Sequence, residues 1–157
     1  MKVSRTWLQR YFDAELPSVD ELARALTFHA FEIEEVVGDI LDVKVLPDRA
    51  GYALSHRGIA KELSAILSMP MKSDPFRQPL PSWTVTPSLS IQTDPAYVIR
   101  HLGAVMKGVT VGPSPAWLRS LLEGVGQRSI NNIVDYKIIL LKYTMCVKTY
   151  KSILDQI

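Results

Sequence analysis

The side chains that could carry chemistry in this 157-residue chain are few and widely separated. Its histidines are His29, His56 and His101, and none stands at ligand or relay spacing from a carboxylate. Because catalytic and metal-bound histidines work with convergent partners, each is interpreted as an ordinary surface or half-buried residue. The single cysteine, Cys146, has no base beside it in sequence to generate the reactive thiolate. No catalytic residue is therefore predicted.

Acidic and glycine-rich motifs do not indicate a metal or phosphate site either. Glu32, Glu34 and Glu35 could bind a cation, but hard cations need several convergent oxygens, and a solvated strand face is the simpler interpretation. The chain contains no GxxxxGK[ST], GxGxxG, HExxH or CxxC pattern. Neither a phosphate loop nor a common zinc site is indicated, and no metal site is predicted.

Two arginines offer anion-binding chemistry. Arg49 follows Pro47 and Asp48 in a predicted turn, where it is either half of a charged pair or a docking or phosphate-contacting side chain. Arg128 lies between a glycine-punctuated helix end and a new helix start. At such a place an arginine can hold an anion beside helix N–H groups. On spacing alone, a structural role for Arg128 is the simpler interpretation and the anion site is the alternative.

The elements that would position these residues begin with a small helix–helix–hairpin–helix domain over residues 1–72. Hydrophobic spacing and capping signals define its parts. They are a helix capped by Ser4, a helix opened by a capping box of Ser18 and Glu21, a hairpin of residues 31–36 and 40–46 that turns at Gly38 and Asp39, a loop over 47–51, and a helix capped by Ser55 and stopped by Pro70.

A proline-rich linker is predicted over residues 73–87, because proline fixes φ and supplies no backbone donor. Beyond it, residues 88–135 predict a partial α+β domain, so the fold class is α+β. Its expected parts are strands over 89–92 and 102–109, a helix opened by Ser114 and Pro115 that ends at Gly124 or Gly126, and a helix capped by Ser129.

The segment 136–157 has a different composition and is expected to be a divergent tail. It contains no Gly, Pro, Ala or Arg, and it carries four lysines and one acidic residue. Residues 1–135, in contrast, carry 14 basic and 15 acidic residues. The basic character therefore comes from the tail and does not indicate a nucleic-acid surface on the body. No apolar run reaches the ~18 residues of a membrane span, and the charged start lacks a signal-peptide core. A cytoplasmic protein is expected.

Three pairs of stretches resemble, in order, the bacterial-type phenylalanyl-tRNA synthetase β subunit. The first pair is SRTWL at 4–8 with LTFHAFEIE at 26–34. The second is DVKVLPDR at 42–49 with SHRGIAKEL at 55–63, similar to the family's xPNR and LSxxGIAREL. The third is SPAWL at 114–118 with GQRSINNIVD at 126–135, similar to SPxWL and GxRSINNVVD. The resemblance covers residues 1–135.

This resemblance implies a phenylalanine–tRNA ligase of two α and two β chains that uses ATP and Mg²⁺. It places the catalytic site in the α chain, and it gives the β chain tRNA contacts, assembly and an editing domain that hydrolyses mischarged tyrosine. Residues 1–72 would be the N-terminal domain and 88–135 the first portion of the editing domain. Arg128 would contact the anionic end of the aminoacyl-tRNA. Neither ATP nor a metal is expected on this chain itself, and neither DNA nor a membrane is an expected partner.

Two departures from the family pattern leave two hypotheses open. The oligonucleotide-binding barrel that many β chains insert after the Glu34 region is missing, and Lys137 and Ile138 stand where the family has Thr and Asn. Arg128 is then the only residue left of the editing constellation. The first hypothesis is a truncated β chain, inactive alone, in which residues 88–157 fold poorly. The alternative is a short stand-alone RNA-binding or assembly adaptor.

Overall fold

The computed structural model describes residues 1–72, 79, 90–99 and 108–144. Within these ranges helices are combined with a small antiparallel sheet, in agreement with the α+β class. The elements are β1 (Lys2–Ser4), α1 (Arg5–Gln9), α2 (Val19–His29), β2 (Ile33–Val37), β3 (Ile40–Val43), α3 (Ala50–Ala53), α4 (His56–Ile66), α5 (Ala116–Gly124) and α6 (Asn132–Thr144).

The sheet has the strand order β1-β3-β2, and both strand pairs are antiparallel. The predicted hairpin is confirmed, with Gly38 at φ +57° in its turn. Its return strand ends at Val43 rather than at residue 46. A bulge leaves Glu34 as an extra residue, because Ile33 pairs with Val43 while Glu35 already pairs with Asp42. This bulge explains the incomplete alternation of the sequence there.

The hairpin turn is joined to the N-terminus of α1. Ser4 accepts the Trp7 N–H at 3.2 Å, which confirms the predicted cap. The Ser4 hydroxyl in turn donates to Asp39 at 2.7 Å, and the Thr6 N–H donates to the same carboxylate oxygen at 2.9 Å. The tight turn of the hairpin therefore helps to cap α1 through Asp39.

Local capping also defines α2 and α4. The Ser18 and Glu21 capping box is present, and Ser55 accepts the Gly58 N–H at 3.0 Å. Helix α4 ends at Ile66, ahead of the expected stop at Pro70. Residues 47–49 form a turn within the expected 47–51 loop, and the short helix α3 begins at Ala50.

His56 corrects the expectation of a surface or half-buried histidine, because it is fully buried. Its ring stacks on Trp7 with centroids 3.9 Å apart, and Nε2 accepts the Ser4 N–H at 3.2 Å. The imidazole thus joins the start of α4 to the junction of β1 and α1. His29 is exposed on α2, and His101 lies outside the described residues.

The second group of elements differs from the prediction in several places. Residues 90–92 form no strand, and Leu89 and 102–107 lie outside the described residues. Pro115 rather than Ser114 occupies the N-cap of α5, which ends at Gly124 as predicted. Helix α6 continues through Tyr136 to Thr144, so the compositional break does not interrupt it. Of the predicted linker only Pro79 is described, and residues 145–157 are not.

Both groups of elements share one hydrophobic core. Leu118 and Leu122 of α5 are buried in the same cluster as Trp7 and Leu63, and α6 packs against both α4 and α5. The expectation of a poorly folded second segment is therefore wrong for α5 and α6. Burial of apolar surface stabilises such a core by roughly 25 cal/mol per Å².

Candidate functional site

The loop that carries Arg128 begins with a strongly constrained helix end. After α5, Gly126 adopts φ +75°, a conformation that side-chain-bearing residues rarely adopt. Its N–H donates to the Glu123 carbonyl at 2.9 Å, and the Gln127 N–H donates to the Leu122 carbonyl at 2.8 Å. These two bonds form a Schellman motif, so the backbone direction is set two residues before Arg128.

A buried carboxylate fixes the other side of the loop. Asp135, in the first turn of α6, is fully buried. One of its oxygens accepts the hydroxyls of Ser114 and Ser129, each at 2.5 Å, and the other accepts the Ile130 N–H at 2.9 Å. Asp135 thereby joins the segment that leads into α5, the Arg128 loop and α6.

These hydrogen bonds determine the charge state of Asp135. Burial raises the pKa of its carboxyl group, but the bonds from Ser114, Ser129 and the backbone outweigh burial and hold the pKa below its ordinary value. The group is therefore an ionised carboxylate at neutral pH.

Two asparagines also hold the start of α6, and the predicted cap of this helix is wrong. Asn131, not Ser129, caps this helix, and its side chain accepts the N–H groups of Ile133 at 3.1 Å and Val134 at 2.9 Å. Asn132 bridges to the extended segment before α5 by accepting the Gly112 N–H and donating to the Thr110 carbonyl. The N–H groups of Asn132, Ile133 and Val134 at the start of α6 therefore already have partners within the chain, and an anion at this loop would have to be bound by Arg128 itself.

Two side chains of this loop, Arg128 and Ile130, are exposed to solvent. Arg128 is exposed and makes no hydrogen bond or ion pair with any residue that the structure describes, and Ile130 is 64% exposed. A cationic side chain on a fixed backbone, with no internal partner in the described ranges, can bind an anionic group from outside.

Arg49 occupies a different environment. Its guanidinium lies over the Phe31 ring, 5.3 Å from the centroid, and its side chain contacts Tyr52. Burial and the Glu62 carboxylate raise the pKa of the Tyr52 hydroxyl, an effect that Arg49 partly offsets. Arg49 thus has structural contacts in the N-terminal part, and none of the described contacts joins it to Arg128.

A surface depression of about 250 Å³ does not suit a phosphate or another anionic group. It lies between the hairpin and the end of α5, and its lining includes the carboxylates of Glu35, Asp42 and Glu123 against the single cation Lys2. Like charges disfavour an anionic ligand at this place.

Neither a metal-type cluster of side chains nor a membrane-spanning type of helix occurs among the described residues. No three His, Cys, Asp or Glu side chains converge there on a point that could hold a metal ion, and Glu32 instead pairs with Lys44 at 2.9 Å. Across the described ranges, no helix has the length and apolar character needed to span a membrane.

The sequence indicates Arg128 as a candidate, but it does not indicate the residues that hold the Arg128 loop. A serine before a helix and an acid in its first turn are typical capping signals, and these signals assigned Ser129 to the cap. The decisive partner, Ser114, lies 21 residues from Asp135 in the chain. No local pattern reports a contact at that separation.

Sequence comparison identifies relatives along most of the chain. The curated phenylalanine–tRNA ligase beta subunit of Rhodopirellula baltica is 36% identical over 140 residues, which cover 86% of this chain and 20% of that protein. The same subunit of Synechococcus sp. is 35% identical over 132 residues, covering 81% of this chain and 15% of that protein. The chain belongs to the phenylalanine–tRNA ligase β subunit family.

The match to a β subunit is partial in length. The relative from Carboxydothermus hydrogenoformans is 40% identical over 105 residues. These residues cover 66% of this chain but only 13% of that protein. The chain thus spans a fifth or less of the curated β subunits it matches. No protein-family model matches it. No solved structure matches it either.

Proposed function

We propose that this β-subunit segment binds the anionic backbone or end of tRNA through Arg128. The observation that supports this role is the combination of an exposed guanidinium and a loop held by the Schellman motif and Asp135. Charge-assisted hydrogen bonds to phosphate are strong and favour arginine. A fixed loop reduces the conformational entropy that binding would cost.

The proposal divides the chain as the sequence suggests. Residues 1–72 form the N-terminal domain, 73–87 the linker, 88–135 the first portion of an editing domain, and 136–157 the tail, whose first part continues α6. Arg49 is a secondary candidate for docking or RNA contact. Its partial engagement by Phe31 and Tyr52 favours a docking role over a phosphate contact.

The partners belong to the same proposal. An α subunit would supply the catalytic site and would use ATP and Mg²⁺ to attach phenylalanine to its tRNA, in an assembly of two α and two β chains. This chain would contribute tRNA contact and assembly, and it would lack editing activity alone because its sequence resembles the family's editing constellation at Arg128 only. A cytoplasmic location follows from a role in translation.

The test measures binding of a tRNA(Phe) transcript to the full 157-residue chain. Fluorescence anisotropy gives the affinity at several salt concentrations. We expect Arg128→Ala to weaken binding about tenfold, as for loss of a charge-assisted hydrogen bond, and to reduce the salt slope by about one. Arg119→Ala removes another exposed cation nearby in sequence and serves as the matched control. Equal losses in both variants would mean that only bulk charge matters, which would reject Arg128 as the contact.

A stand-alone adaptor is the second candidate, and one observation favours it. Helix α5 buries Leu118 and Leu122 in the core shared with the first 72 residues, so the described parts pack together without further domains. An adaptor would bind tRNA or the α subunit as the isolated chain. Size-exclusion chromatography with purified α subunit separates the candidates, since a segment that needs the rest of β for assembly would elute alone.

A further inference from the structure

Asp135 is a buried charge whose hydrogen-bonded neighbours flank the candidate contact residue. Ser129 and Ile130, which directly follow Arg128, donate to it, and Ser114 donates from the start of α5. These donors are neutral groups. Burying an ionised carboxylate is costly unless several donors replace its hydration, so the loss of one donor weakens the arrangement.

We propose that Asp135 is the positioning residue that holds Arg128 for contact with an RNA anion. This inference rests on the proposed function and adds a second residue to that site. Asp135 does not touch the ligand. It fixes the backbone after Arg128, while Gly126 fixes the backbone before it, and the guanidinium is presented from a loop held on both sides.

The geometry explains why a carboxylate is needed rather than an amide. Both serine hydroxyls donate to one oxygen of Asp135, and the Ile130 N–H donates to the other. In Asp135→Asn one of these oxygens becomes an NH₂ group, which donates and cannot accept. With NH₂ in place of the oxygen shared by the serines, both hydroxyls must turn and accept instead of donate, and the charge-assisted bonds to the carboxylate are lost. The variant therefore holds the loop less strongly.

Charge alone predicts the opposite effect on RNA binding, which makes the test sharp. Asp135→Asn removes one negative charge, and electrostatics would strengthen binding to RNA. Positioning predicts weaker binding. Asp94→Asn, which removes an exposed negative charge, measures the purely electrostatic effect.

The experiment is a double-mutant cycle on the full chain with the tRNA(Phe) transcript as the probe. Asp135→Asn should weaken binding about threefold or more in the parent chain and less than about twofold in the Arg128→Ala background. Ser129→Ala, which removes one donor and keeps the carboxylate, should weaken binding in the same background-dependent way. This milder variant keeps the test valid if Asp135→Asn does not fold. Hydrogen exchange of the Ile130 backbone amide, measured by NMR, should be faster in both variants than in the parent chain.

The outcomes separate the two proposals. If Arg128→Ala does not weaken binding, the proposed function fails and the positioning role falls with it. If Arg128→Ala weakens binding but Asp135→Asn and Ser129→Ala do not, or do so equally in the Arg128→Ala background, only the positioning role is overturned. Faster exchange at Ile130 combined with the background-dependent loss supports it.

Discussion

At the scale of a residue, Asp135 combines full burial with an ionised state. Removal from water destabilises a charged carboxylate, and hydrogen bonds from two hydroxyls and a backbone N–H stabilise it. The balance lowers the pKa of Asp135. A group that binds protons less readily in the folded state than in the unfolded state makes stability depend on pH.

The sign of this pH dependence follows directly from the lowered pKa. Above the ordinary aspartate pKa of about 4, the contribution of Asp135 to the free energy of unfolding is fully present. As the pH falls below that value toward the lower folded pKa, the contribution is lost. We expect the stability difference between the parent chain and Asp135→Asn, measured by urea unfolding, to shrink as the pH falls below about 4. A stability difference that stayed constant down to pH 3, roughly one unit below the ordinary value, would contradict a stabilising role for the ionised Asp135 carboxylate.

At the scale of elements, the sequence predicted what local signals determine. Ser4, Ser18 and Ser55 cap the helices that they were expected to cap, since each N-cap bond spans only three residues. Strand β1 and helix α3 were missed because they have three and four residues and carry no periodicity of their own. β1 exists because it pairs with β3, a contact almost forty residues away.

The same distinction holds for the candidate site. The position of Arg128 beside a helix end was predictable, because Gly124 and Gly126 mark that end locally. The occupancy of the α6 N–H groups was not, since Gly112 and the side chain of Asn131 compete with any outside anion for them. The bond from the Asn132 N–H to the Gly112 carbonyl joins distant segments and has no local signal, whereas the Asn131 bonds are local and were missed because Ser129 was assigned to the cap.

Gly58 sets the close approach of α3 to α4, and its substitution is the test of that contact. A Cβ at this position would lie 1.9 Å from the Tyr52 carbonyl oxygen, and backbone atoms cannot move aside as a flexible side chain can. We expect Gly58→Ala to lower the free energy of unfolding by about 3 kcal/mol or more, as for a strongly overpacked site. Chemical denaturation monitored by circular dichroism measures this change.

Gly51 provides the matched control within the neighbouring helix. A Cβ at Gly51 meets nothing within 4 Å, and alanine has a higher helix propensity by about 1 kcal/mol. Gly51→Ala should therefore leave stability unchanged or raise it slightly. Similar destabilisation by both substitutions would show that glycine flexibility, rather than the α3–α4 contact, matters in this segment.

At the scale of the whole molecule, the two groups of elements are connected by apolar burial. Leu122 has no exposed surface and belongs to the cluster that also contains Trp7 and Leu63. At the surface, the Arg10 guanidinium lies 5.2 Å from the centre of the Trp117 ring, which joins the same two groups. One shared core favours one cooperative unfolding transition.

Leu122→Ala tests whether the parts unfold together. We expect a loss of about 2–5 kcal/mol, typical of a buried leucine replaced by alanine. Because α6 packs on α4, faster hydrogen exchange should appear in peptides from α4 as well as from α5 and α6. Ile130→Ala, at an exposed site on the same segment, should change stability by less than about 0.5 kcal/mol and leave exchange in α4 as it was. If Leu122→Ala accelerated exchange only within residues 108–144, the two groups would be independent units, and the β-subunit segment would act as two modules rather than one.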